Sequence, residues 1–362
     1  MGQDDCHVAQ SDGSRMKPIR AMIMAAGAGT RLHPLTASVP KPMVPIANRP
    51  VLEYALENLR RHGITEIVLN LHSHPDMIRR HFGDGKRWGI NIQYSYEPKL
   101  LGTAGGVKNV ETFLNGGTFI VMSGDGLTDI NLTKLLAFHH ARRAMGTMAL
   151  KPVDVRFDYG VAMTNPQGRI TRFIEKPHWS DVFSNHVNTG IYVFEPSALA
   201  QIPSGKVFDF GHQLWPKLLK QRAPIYAKVI DSYWCDVGNL NEYRRAQKDL
   251  LDGEIRYPLS GHQIRPRVRV NEGAVIDQSV VLEAPCLIGK NCRIGRGSRI
   301  GAYTVIGDGA RIGKHATLRH STLWNNVRVG DGVKLENCVI GHGAQVSENI
   351  SVYEGAIVNV QG

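Results

Sequence analysis

The 362 residues carry 43 Lys and Arg against 32 Asp and Glu, a formal net charge of +11, with 42% hydrophobic residues and no uninterrupted apolar run near the roughly 20 residues that cross a bilayer. The basic residues are scattered, without a run of five or six like charges or a nucleic-acid-binding signature, so nucleic acid and membrane are set aside and small polyanions are the expected partners. Five cysteines, odd in number and without a CxxC pair, argue against a disulfide framework or a structural zinc site and fit a reducing, cytoplasmic setting.

The polar lead, residues 1–18, reads as disordered and lacks the apolar segment of a secretion signal. From Ile19 to about Leu251, strand-like and helix-like segments alternate. AMIMAA is a buried strand. VLEYALENLRRHG then places Val51, Leu52, Ala55, Leu56 and Leu59 on one helical face, closed by Gly63. ITEIVLNL, INIQYSYE and GTFIVMSGD are further strands, and PDMIRRHFG is a short helix between the first two. This alternation predicts an α/β fold with a doubly wound, mainly parallel, Rossmann-like sheet over residues 19–255. Ligands of such sheets bind beyond the carboxyl ends of the strands. Both the glycine loop after AMIMAA and the SGDGLTD segment sit at such ends.

The loop AAGAGTRLHPLTASVPKP fits neither a Walker A loop nor the dinucleotide fingerprint, because Thr30 and Arg31 follow Gly29 and Leu32 stands where a third glycine is needed. It is nevertheless suited to phosphate. Gly27 and Gly29 let backbone N–H groups approach an anion. Arg31 offers a planar fork and Lys41 a compact charge, with prolines at 34, 40 and 42 stiffening the path between them. Asp129 is expected to cap the helix that begins in NLTKLLAFHH. The pairs His72 with His74 and His139 with His140 have metal-like spacing but no acidic or cysteine partners nearby.

Past Gly273 the period changes. Ile276, Leu282, Ile288, Ile294, Ile300, Ile306, Ile312 and Leu318 recur every six residues, and Gly289, Gly295, Gly301, Gly307 and Gly313 follow the middle ones. Small residues stand two places before the aliphatics, at Cys286, Cys292, Ser298, Thr304, Ala310 and Ala316. After a stutter around Trp324 the register resumes through Ile340, Val346, Val352 and Val358. An aliphatic every sixth residue beside glycine predicts a parallel β-helix with triangular coils, assigned to residues 256–362. Exposed coil edges favour covering by another copy, so a homo-oligomer is expected.

GAGTRLHPLTASVPKPMVPI resembles the signature of sugar-1-phosphate nucleotidyltransferases. The resemblance continues in order through LGTAGG at 101–106, GDGLTD at 124–129, YG at 159–160, FIEKP at 173–177, NTGIYVFEP at 188–196 and WCDVGNLNEY at 234–243. With the repeats it covers nearly the whole chain after the lead, and it implies a left-handed β-helix. It also implies attack of a sugar 1-phosphate on the α-phosphate of a nucleoside triphosphate, with pyrophosphate leaving. Under that resemblance Arg31, Lys41 and Lys176 serve catalysis. Ala25, Gly27, Gly29, Thr30, Gly102, Thr103 and Gly124 face the nucleotide. Gly160, Glu175, Lys176, Asn188 and Thr189 meet the sugar phosphate, and Asp125 and Asp236 hold Mg²⁺.

EKPHWSDVFSNHVNTGIYVFEP is most similar to mannose-1-phosphate guanylyltransferases with hexapeptide tails, implying GTP and mannose 1-phosphate as substrates. The Ala25-Ala26-Gly27 start, where several relatives have Gly-Gly, keeps uridylyl, thymidylyl or adenylyl transfer to glucose 1-phosphate open. A regulatory subunit that binds nucleotide sugar without turnover is the alternative of another class. Acyl transfer on the β-helix would call on His315 or His320.

Overall fold

The structure, a computed structural model, describes residues 18–27, 29–153 and 159–358. Of the lead expected to be disordered, all but Pro18 lies outside them. The central strand, Arg20–Met24, pairs in parallel with Glu66–Leu71 on one side and Phe119–Ser123 on the other, and Asn91–Tyr96 extends the parallel set. Ala21 and Ile23 join one buried cluster with the Val51–Arg61 helix, while Met22 joins another with Phe194 and Trp215. The strand is therefore covered on both faces, which is why it reads as a continuous apolar run. All five apolar positions named for the helix are buried, and Gly63 just beyond it has a left-handed φ of 73°.

The chain first winds to one side of Arg20–Met24 and then returns to place Phe119–Ser123 on the other. That reversal opens a crevice at the carboxyl ends of these two strands. The rest of the sheet is less parallel than expected. His186–Phe194 runs antiparallel to both Phe119–Ser123 and Gly146–Pro152, and Ile225–Val229 lies parallel to the latter. Val161–Thr164 and Ile170–Ile174 are also antiparallel, because the short turn between them cannot make a parallel crossover. A separate two-stranded ribbon pairs Trp234–Asp236 with Gly126–Thr128, setting Asp236 opposite Gly126.

The repeats form the three faces of a triangular coil. Ile276, Ile294, Ile312, Val329 and Val346 stack in parallel register on one face. Leu282, Ile300, Leu318, Leu335 and Val352 stack on the next, and Ile288, Ile306, Leu323, Ile340 and Ile357 on the third. Partners are 18 residues apart in the first coils, as in Cys286 to Thr304, and 17 apart later, as in Val305 to Thr322. The stutter is this one-residue shortening. It recurs, so Ile357 rather than Val358 stacks on Ile340. Val358 instead packs against the cluster shared with the α/β half. The small residues two places before each aliphatic are buried, Cys286, Cys292, Ser298, Thr304, Ala310 and Ala316 among them. The left-handed backbone of His315 (φ 55°) and His320 (φ 50°) puts both at coil corners.

Candidate active site

Two cavities meet at the crevice. One of about 300 Å³ is lined by Ala26, Gly27, Lys41, Gly102, Thr103 and Asp125, with Asn70 and Glu97 on its wall. The other, of about 250 Å³, is lined by Arg31, Gly160, Glu175, Lys176, Asn188, Thr189 and Asp236. Thr103, Ser123 and Asp125 border both. The shared wall follows from the fold: Ser123 ends its strand at the crevice, and the Gly124 N–H donates to the Met24 carbonyl at 2.9 Å, leaving Asp125 at the junction.

Lys41 stands at that junction and is almost completely buried. Its ammonium contacts the Asp125 carboxylate and lies 3.3 Å from Asp236 Oδ1, while Arg31 reaches Asp236 Oδ2 at 3.8 Å. Ser123 Oγ donates to the other Asp125 oxygen. These residues are remote in sequence. The strand pair Gly126–Thr128 and Trp234–Asp236 brings the two acids together, and the Val237 N–H donates to the Asp125 carbonyl at 3.2 Å. Burial alone would lower the Lys41 pKa, but the two carboxylates outweigh it and hold it above the usual lysine value. Burial pushes Asp125 up and Lys41 outweighs that too, holding the carboxyl below its ordinary value. Asp236 goes the other way. Burial and the neighbouring Asp125 charge raise it against the pull of Lys41 and Arg31.

Two partly buried carboxylates thus converge on one point, with Lys41 against both and Arg31 against Asp236. Hard, paired oxygens of this kind suit a divalent cation completed by waters and phosphate oxygens. Asp125 and Asp236 would hold it. Among the described residues no group of three or more His, Cys, Asp or Glu forms a metal site. His72 Nδ1 instead pairs with the Glu97 carbonyl at 2.8 Å, and His139 lies between Thr147 and Glu195.

In the second cavity, Glu175 is partly buried and its Oε2 has no hydrogen-bond partner among the described residues. Gly160 and Gly211 make its niche, since a Cβ on Gly160 would lie 2.5 Å from that oxygen. Burial, then the Asp209 charge, raise its pKa. Lys176 carries a left-handed φ of 45°, uncommon for a residue with a side chain. Asn188 is oriented at both ends of its amide, donating to Tyr192 Oη at 2.8 Å and accepting from the Gly190 N–H at 3.0 Å. The Thr189 hydroxyl is already used, donating to the Ala149 carbonyl at 2.9 Å, and its own carbonyl accepts from Trp234 Nε1 at 3.1 Å. That residue shapes the wall through its backbone.

Four of the sequence-chosen positions line neither cavity. Ala25 is buried behind the first, its N–H donating to Asn70 Oδ1 at 2.7 Å. Gly29 supports Lys41 from behind: at φ 67°, a Cβ there would come 3.0 Å from Lys41 Cβ. Thr30 is exposed at the start of a single 3-10 turn, and Gly124 packs under Met24. Asp129 does not cap the Leu132–Ala141 helix. Asn131 does, accepting from the Lys134 N–H at 2.9 Å, because Asp129 lies two residues too early and instead accepts from the Tyr233 N–H.

Sequence reasoning missed the frame around Gly102 and Thr103. Glu97, buried and charged, accepts from Asn70 Nδ2 at 2.8 Å and from the Leu101 N–H at 3.1 Å. Thr103 Oγ1 donates to Asp209 at 2.7 Å and accepts from the Phe210 N–H at 2.8 Å. Gly102 at φ 75° faces the Phe208 carbonyl, which a Cβ would approach to 2.7 Å. An acid between Tyr96 and Pro98, just past the end of a strand, gives no sequence signal of burial; the glycines of LGTAGG were the visible trace of close backbone approach.

The chain matches the family model "Nucleotidyl transferase" over residues 20–253 and "EIF2B subunit epsilon LbH domain" over residues 265–361. It is 40% identical to a UTP–glucose-1-phosphate uridylyltransferase of Synechocystis, over 69% of this chain and 68% of that one. Identity is 34% to a mannose-1-phosphate guanylyltransferase of Mycobacterium tuberculosis, over 88% and 83%. It is 35% to mannose-1-phosphate guanyltransferase beta-A of Xenopus laevis, over 92% and 93%. A solved structure from Bacillus anthracis has a TM-score of 0.60 at 22% identity, covering 66% of this chain and 97% of its own, a likeness of fold. The chain belongs to the nucleotidyl transferase family.

Proposed function

We propose that this chain joins a nucleoside triphosphate to a sugar 1-phosphate, releasing pyrophosphate and a nucleotide sugar, with GTP and mannose 1-phosphate as the pair. The observation that carries the reading is the Lys41–Asp125–Asp236 cluster at the junction of two cavities. The cavity with Gly27, Gly102 and Thr103 takes the nucleotide; the one with Glu175, Lys176 and Asn188 takes the sugar phosphate. The nucleotide-sugar relatives that align over most of their length with this chain favour mannose and guanine. The uridylyltransferase relative keeps UTP with glucose 1-phosphate as the second reading. We assign residues 19–255 to catalysis and 256–362 to a left-handed β-helix that supports self-association, in a soluble cytoplasmic protein. Among the described residues no helix is long and apolar enough to cross a membrane.

The attacking oxygen belongs to a phosphate that is anionic at neutral pH, so no general base is required. The work is alignment and charge neutralisation. Lys176 grips the sugar phosphate while the unpartnered Glu175 oxygen accepts from a sugar hydroxyl. One phosphate oxygen then bonds to the α-phosphorus as the bond to the bridging oxygen breaks, and both electrons leave with pyrophosphate. Arg31 and Lys41 meet the charge that accumulates on the leaving group. Mg²⁺ held by Asp125 and Asp236 would supply further neutralisation of the phosphates.

The test is pyrophosphate release with Mg²⁺, crossing five nucleoside triphosphates with mannose, glucose, galactose and N-acetylglucosamine 1-phosphates. The GTP–mannose pair is expected to dominate. Dominance of UTP with glucose would install the second reading. Silence across the matrix with retained nucleotide-sugar binding would replace both with a regulatory subunit.

A further inference from the structure

The turn that presents Lys41 is bonded to the β-helix through side chains that neither cavity uses. Lys41–Met43 runs into a hairpin of Pro45–Ile46 against Arg49–Pro50, with Ala47 and Asn48 at its tip. The Pro45 carbonyl accepts from Tyr243 Oη at 2.8 Å and from Gln247 Nε2 at 3.1 Å. The Ala47 N–H donates to Gln247 Oε1 at 2.7 Å. Tyr243 Oη in turn accepts from Trp324 Nε1 at 3.0 Å and from Gln247 Nε2 at 3.0 Å. One donation and two acceptances satisfy a phenol completely and fix its direction. At the hairpin tip, Asn48 Nδ2 donates directly to the Ile306 carbonyl of the β-helix at 2.8 Å.

Tyr243, Gln247 and Trp324 are all buried, so water cannot replace a lost partner readily. Tyr243 and Gln247 belong to the Leu240–Asp252 helix, which starts four residues after Asp236 and is capped by Asn239. A single helix therefore holds both the Lys41 turn and the segment that ends in Asp236. Trp324 braces that helix from the β-helix side, at the place where the coil first shortens.

We propose that Trp324, Tyr243 and Gln247 are positioning residues, through which the β-helix sets the placement of Lys41 against Asp125 and Asp236. The inference rests on the role given to Lys41 above. It makes the repeat domain part of the catalytic alignment, in addition to any part in assembly. The effect should fall on the chemical step, because small misplacements of a charge-neutralising group reduce rate strongly.

Tyr243→Phe keeps its ring and deletes the bonds, and Trp324→Phe keeps an aromatic ring, though a smaller one, and deletes the indole N–H; Ile300→Val, inside the coil and away from the interface, is the control for simple loosening. In the full-length chain, kcat is expected to fall roughly tenfold in both relay variants, with KM for the sugar phosphate nearly unchanged. Asn48→Ala, at the less buried hairpin tip, should show a smaller loss in the same direction. Affinity for the nucleoside triphosphate, measured calorimetrically without turnover, provides an independent readout and should weaken in Trp324→Phe. Losses of kcat or affinity confined to the relay variants support the brace. It is overturned if neither quantity changes, or if Ile300→Val loses as much at an equal fall in thermal midpoint. A wild type that turns nothing over, but whose nucleotide affinity depends on Trp324, would sink the transferase reading and leave the brace standing.

Discussion

The two halves of this molecule put their information in different places. In the β-helix, each inward aliphatic stacks on one 17 or 18 residues away, so a short repeating pattern specifies the whole column. In the α/β half, the central ion pairs join Lys41 to Asp125 and Asp236 across 84 and 195 residues. Strand order, rather than local pattern, creates that meeting. The repeat half consequently explains stability one coil at a time, while the other half explains chemistry only when the fold is complete.

The sharpest break between them is expected at Asp125. Asp125→Ala should abolish Mg²⁺-dependent turnover, a fall of about 10³-fold or more, while circular dichroism and the elution volume stay those of wild type. Wild-type turnover would remove the metal assignment. The converse change lies in the coil. Leu318→Ala empties a buried site stacked between Ile300 and Leu335 and should cost about 2–5 kcal/mol by denaturant unfolding. Because repeats stabilise mainly their neighbours, kcat below the transition should remain close to wild type. A loss matching that of Asp125→Ala would mean that coil packing away from Trp324 also controls the Lys41 cluster.

Glu175 offers a smaller and finer test. Burial raises its pKa, so its proton is held more tightly in the folded chain than in the unfolded one. The cost of ionising it is absent below the unfolded glutamate value and grows as pH rises through the higher folded value. Glu175→Gln should therefore raise the thermal midpoint near neutral pH, with the advantage vanishing toward about pH 4. The same variant should raise KM for the sugar phosphate by roughly tenfold, from the loss of one charged hydrogen bond. A variant that is less stable at neutral pH, or that binds the sugar phosphate unchanged, would show that Glu175 already has its partner.

Much of this was legible beforehand, for reasons that differ by residue. The Val51–Arg61 helix follows from its apolar stripe, and the coil columns follow from the six-residue period. Arg31 and Lys41 were visible as rigidly spaced cations behind glycines; Asp236 could be found only through the family resemblance, since an acid between Cys235 and Val237 has no local mark. The antiparallel course of His186–Phe194 was hidden because a strand buried on both faces looks alike in either direction. Ala25, Gly29, Thr30 and Gly124 were chosen as if every loop residue faced the ligand, whereas Ala25, Gly29 and Gly124 hold the wall from behind and Thr30 is exposed outside both cavities. Val358 was placed by counting sixes through a coil that takes seventeen residues.

The most direct measurement follows the phosphorus atoms. A nucleoside triphosphate labelled at the α-phosphate should give labelled nucleotide sugar, and label at the γ-phosphate should leave in pyrophosphate, in the wild type with Mg²⁺ and not in Asp125→Ala. Finding the α label in free nucleoside monophosphate, or the γ label in inorganic phosphate or on the sugar, would contradict nucleotidyl transfer at the Lys41–Asp125–Asp236 junction.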